Sequence, residues 1–122
     1  MNKISTIIIF ALLLAAVGGQ SAGIAESKKV TLTGHLIDQM CAGEVKDAVA
    51  AAKHSKECAL MDHCAASGFG IFANGKYTKF DAAGSQKAKA LAEKTKKEAD
   101  IAVVAEGTLE ADTLKVISLK EK

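Results

Sequence analysis

The chain has 122 residues, with 16 lysines and no arginine against 14 acids, for a formal charge of +2. A near-neutral surface without guanidinium forks argues against a dedicated reader of phosphate or nucleic acid. Four phenylalanines, one tyrosine and no tryptophan leave little for stacking bases or sugars, and the three cysteines are an odd number.

Residues 1–25 read as a secretory signal peptide. Lys3 supplies the positive start, residues 4–17 form an almost unbroken apolar run, and small residues follow up to Ala25. That run is short for a membrane span, and Gly23 and Ala25 suit a cleavage site, with cleavage after Ala22 as the rival. The expectation is export to the periplasm or beyond, with no stable membrane span after removal of the signal. What remains is 122 − 25 = 97 residues, which fits one domain over 26–122. Lys3 is the one charge removed, so 15 lysines then face 14 acids and the formal charge is +1. A domain this small buries a modest core and is often helped by a staple or a metal.

Residues 29–37, KVTLTGHLI, alternate. Val30, Leu32 and Leu36 share one face while Thr31, Thr33 and His35 share the other, so a half-buried strand is predicted, with a bulge or bend at Gly34. A small-residue helix is predicted over 44–53, with Val45, Ala48, Val49 and Ala52 inward. The sequence HSKECALMDHC follows, and Gly68 ends an insert spanning 41–68. Asn74-Gly75 between two aromatic and β-branched runs, FGIFA and KYTKF, predicts a hairpin with a type I′ turn. A lysine-rich helix is predicted over 86–97, capped by Gly84-Ser85, with Ala88, Leu91 and Ala92 inward. Residues 100–108 and 113–119 form a second predicted hairpin around 110–112. Five strands with a helix between the third and fourth is the order of an oligonucleotide/oligosaccharide-binding (OB) barrel, mainly β with helices. The alternative is an open five-stranded sheet with the helix on one face.

GHLIDQMC, KHSKECALMDHCAASGFGIF, GKYTKF and VVAEGTLEADTLKVISL together resemble a family of small exported bacterial proteins. Its members pair an OB-like fold with a Cys…His-x-x-x-Cys-x-x-x-x-x-Cys pattern, and no biochemical activity is settled for it. The resemblance covers essentially all of 26–122 and maps that pattern onto Cys41, His54, Cys58 and Cys64. His63 lies outside it.

Those four residues are a Cys₃His set, a full tetrahedral complement for zinc. On one helix, His54 and Cys58 would share a face, being four apart. Thiolate, thioether and imidazole also suit copper, with Met61 and His63 as extra donors. No Cys-x-x-Cys-His haem-attachment site and no phosphate-cradling glycine loop is present, so neither haem nor a nucleotide is expected.

The competing expectation is a disulfide, because an exported chain meets an oxidising compartment. In one unbroken helix the Cα atoms of Cys58 and Cys64 would lie about 9 Å apart, beyond the roughly 7 Å that a bridge tolerates. Either the helix breaks, for instance near Asp62, or Cys41 is one partner. A Cys41–Cys58 bridge would close a loop of about 16 residues and stabilise by roughly 3 kcal/mol in the chain-entropy picture. One thiol is left over in any pairing, to be buried, to bind metal or to join two copies as a dimer. Small buried cysteines without chemistry are the bland alternative. Asp38 is expected to cap or turn the chain at the end of the first strand, and His35 to be a surface residue.

The leading expectation is a non-enzymatic binding module. The alternative is an OB-type binder of a glycan or other polymer, with Phe72, Tyr77 and Phe80 as its ligand face. A thiol-redox protein ranks third, with Cys41 gaining acidity from the helix after it. No catalytic residue is assigned.

Overall fold

The computed structural model describes residues 27–122; the signal peptide expected over 1–25 lies outside them. The chain runs β1 (Lys28–Asp38), a 3-10 turn (Ala42–Glu44), α1 (Ala48–Lys53), α2 (Lys56–Ala59), α3 (Asp62–Ser67), β2 (Phe69–Ala73), β3 (Lys76–Phe80), α4 (Ala82–Lys94), β4 (Ala102–Glu110) and β5 (Thr113–Glu121). The result is a mixed five-stranded sheet with a few helices, and the strands close into a ring in the order β1-β2-β3-β5-β4.

The long first strand makes that closure possible, because it serves two neighbours. Lys28 to His35 pair antiparallel with β4, and His35 to Asp38 pair antiparallel with β2. Gly34 sits at the handover. A Cβ there would lie 2.1 Å from the Phe72 carbonyl oxygen, so the bend expected at Gly34 is a close backbone approach that no side chain permits. The β1–β4 register runs through Gly34 without a shift; the bulge falls instead in β5, where Ile117 is the extra residue opposite Glu106 and Gly107 of β4. The last seam is the shortest, a parallel pairing of Lys79 with Thr113 and Phe80 with Leu114. Asn74 and Gly75 take φ of 55° and 74°, as the predicted β2–β3 turn requires.

Two helical predictions shift. The helix expected over 44–53 is split, because Val45 is extended (φ −93°, ψ 101°) and Asp47 caps α1 by accepting from the Ala50 N–H at 2.8 Å. The new start rotates the buried face. Ala51 is 1% exposed, whereas Val49, expected inward, is 64% exposed. The helix expected over 86–97 begins earlier as α4, since Asp81 caps it at the Gly84 N–H (2.9 Å) and also accepts from Val116 N–H of β5 (3.2 Å). Ser85 is not the cap; its hydroxyl accepts from Phe69 N–H at 2.9 Å, tying α4 to β2. Ala88 and Ala92 are buried as predicted.

Inside the ring lies the main core, built on Leu36, Phe69, Ile71, Phe80, Val103 and Leu114, with Ala88 and Ala92 of α4 packed against it. A smaller cluster of Ile37, Phe72 and Ala51 forms where α1 covers the outer face of β1 and β2, with Cys41, Val45 and Tyr77 at its edge. Leu36, Ile37 and Asp38 are therefore all buried, and the alternation of β1 ends where the insert begins. Covering both faces of a strand removes the reason for alternation.

Candidate metal centre

Asp38 is the last residue of β1 and is 0% exposed. A buried carboxylate needs partners for both oxygens. Oδ2 accepts the Cys41 N–H at 3.0 Å, turning the chain out of the strand, and Oδ1 lies 2.7 Å from His54 Nε2. The turn was expected of Asp38; the histidine was not. Among the described residues no lysine is paired with this carboxylate, and His54 is its basic partner.

Local hydrogen bonds set the positions of the three cysteines. The corner after β1 is tied to the end of α3: Gln39 N–H donates to Gly68 O (2.8 Å) and Met40 N–H to Ser67 Oγ (3.0 Å). Ser67 Oγ in turn donates to Cys64 O at 2.6 Å. These ties hold α3 beside the corner, so Cys64 is buried next to Cys41. The helix between Cys58 and Cys64 breaks at Leu60 and Met61, where Met61 is extended (φ −57°, ψ 141°). Cys58 stays outside: Ser55 caps α2 by accepting the Cys58 N–H (3.1 Å), and Lys56 N–H donates to Glu98 O (2.8 Å), anchoring α2 to the approach to β4.

One ligand atom each from Asp38, Cys41 and Cys64 lies within 4.8 Å of the others, a group that could hold a metal ion. All three cysteines are thiols, with Cys64 buried, Cys41 half-buried and Cys58 exposed. Burial pushes the Cys41 thiol up to about 12, helped by the Asp38 charge, its hydrogen bond to that carboxylate and the neighbouring Cys64. Burial, then the Asp38 charge, also raises Cys64, while the adjoining Cys41 pulls the other way. Burial first, and then the Asp38 charge, hold the Cys41 and Cys64 thiols protonated. A cation would reverse that balance, whereas a thiolate nucleophile gains nothing from it. The acidity expected for Cys41 from a following helix is not found: the 3-10 turn after it has three residues, and burial dominates.

The predicted quartet is thus rearranged. Cys41 and Cys64 meet, Asp38 joins them, His54 braces Asp38 from outside the compact trio, and Cys58 stands at the surface. His54 and Cys58 do not share a helix, since His54 ends α1 and Ser55 starts α2. Met61 is 46% exposed and His63 is exposed; neither belongs to the group. His35 is engaged elsewhere, 2.7 Å from Asp100. The spacing of Asp38 three residues ahead of Cys41 is the signal for the missed member of the group: it marks a side-chain-capped turn, and only the fold shows what its second oxygen meets.

The aromatic residues proposed as a ligand face do not form an open surface. Phe72 is 4% exposed and Phe80 is 2% exposed, each in a different core cluster. Tyr77 is half-buried and donates its hydroxyl to Ile37 O at 3.2 Å.

Beside the trio a cleft of about 260 Å³ opens, lined by Cys41, His54 and Cys58 together with Val45, Ala50 and Lys53. No protein-family model, curated protein or solved structure matches this chain.

Proposed function

We propose that this protein is an exported OB-type module whose insert binds one zinc or copper ion through Asp38, Cys41 and Cys64, with His54 orienting Asp38. The observation that carries the reading is a fully buried carboxylate converging with two thiols, paired with a histidine and, among the described residues, with no lysine. Two thiolates and a carboxylate are a borderline set that suits divalent zinc; the thiolates alone suit Cu(I). A histidine hydrogen-bonded to a ligating carboxylate is the usual outer support of such centres. The cyclic strand order supports the OB barrel, in which a helix joins the third and fourth strands. The resemblance to the exported bacterial family and the signal peptide belong to the same proposal, as does a periplasmic or secreted address.

Elemental analysis of protein purified after export, reduced and dialysed against zinc or copper, tests this reading. About one ion per chain should be retained, lost in Cys41→Ser and Cys64→Ser and bound roughly 10- to 100-fold more weakly in His54→Ala. Asp38→Asn should weaken zinc more than Cu(I), because it removes the hard donor. An absence of retained metal, with a Cys41–Cys64 disulfide and one titratable thiol, would overturn the metal reading in favour of a staple. The polymer-binding alternative has less support, because Phe72 and Phe80 are enclosed in core clusters.

A further inference from the structure

The trio leaves a question of access. Asp38 and Cys64 are sealed, at 0% and 4% exposure, and of the three ligands only Cys41 also lines the cleft. The same cleft is also lined by Cys58, the one exposed cysteine, and by His54. Cys58 is held beside this cleft by the Ser55 cap and the anchoring of α2. Three protein ligands leave a tetrahedral ion one open position.

We infer that Cys58 is an exchange ligand, taking up an ion at the mouth of the cleft and passing it to and from Cys41. The inference rests on the metal reading above. In the release direction, the Cys58 sulfur forms a bond to zinc as the Cys41–zinc bond breaks. The Cys58 proton passes to water and Cys41 regains one, so charge and electrons balance without any redox change. Uptake runs the same steps in reverse. A route made of thiols lets a buried ion move by bond exchange, without first being stripped bare. Such a centre suits a protein that hands metal to a thiol-bearing acceptor better than one that keeps a structural ion.

The test compares wild-type protein with Cys58→Ser, both purified after export, reduced and loaded with zinc. Zinc affinity is measured by competition, and release is followed with a chromogenic chelator. Affinity should stay within about threefold, while release slows by about tenfold or more. Free cysteine at millimolar concentration should restore the release rate in Cys58→Ser, an effect that a merely structural role would not give. Unchanged release in a variant that still binds zinc overturns the exchange role and leaves the metal reading standing. Loss of zinc binding in Cys58→Ser also overturns it, making Cys58 a static fourth ligand. Failure of the wild type to bind zinc removes both proposals.

Discussion

The ring of strands and the insert are stabilised in different ways. The ring encloses apolar side chains: Phe69, Ile71, Val103 and Leu114 are each 0% exposed, and their burial is worth about 1.5–3 kcal/mol apiece. The insert consists of a 3-10 turn and three helices of four to six residues, too short to persist alone. What orders it is a set of small apolar contacts, Ala51 against Ile37 and Phe72 and Ala59 in the main core with Leu60 and Ala65 beside it, together with polar ties that converge on Asp38 and Ser67. A region held by a few small apolar side chains and directional bonds is more easily rearranged by a ligand or a redox change than a core of large packed side chains. That is the physical reason to look for function in the insert.

The largest expected effect breaks the comparison on the ring side. Phe69→Ala opens a cavity in the main core and should cost about 3–5 kcal/mol, seen as a lower denaturant midpoint for both regions at once. Asp38→Ala should act on the insert. It strands the Cys41 N–H and the His54 ring, costing about 2 kcal/mol in metal-free protein. Hydrogen exchange should then quicken over 39–68 while β4 and β5 stay protected; equal loosening of both would show that the insert is not a separate unit.

Tyr77→Phe sharpens the boundary between the two. It removes the hydrogen bond to Ile37 O and should cost about 1 kcal/mol at neutral pH. Burial, then the Asp38 charge, holds the phenol above its ordinary range, so the folded state keeps this proton more tightly than the unfolded chain does. The stability this contributes is complete below about pH 10 and is lost as pH rises through the folded value. Wild type should therefore lose stability more steeply than Tyr77→Phe in alkaline urea titrations; parallel curves would show the phenol to be solvated. The smallest effect is expected for Val49→Ser, within about 0.5 kcal/mol, because this side chain is 64% exposed.

Much of the ring is legible in the residues. The alternation of 29–37, the Asn74-Gly75 turn and the paired runs after residue 100 each carry a local signal, and each becomes a strand or a turn. The helix starts were misread because several capping residues compete, and the chain uses Asp47 and Asp81 where the apolar periodicity pointed to Glu44 and Gly84-Ser85. The aromatic face was misread because a period of two does not reveal that α1 covers the outer side of β2. The cysteine geometry differs from the pairing considered first. The break between Cys58 and Cys64 is present, but it turns Cys58 outward and brings Cys64, not Cys58, beside Cys41.

The sequence by itself determined the number and order of the strands and the presence of a Cys/His insert, because turn chemistry and apolar period act over a few residues. Only the tertiary structure decided the membership of the centre. Asp38, Cys41, His54 and Cys64 come from a strand end, a corner, a helix end and a separate short helix. They converge because the ties of Gln39 and Met40 to the end of α3 close a loop that no local spacing encodes. Spacing along the chain names candidate residues, and the closing of that loop decides which of them meet.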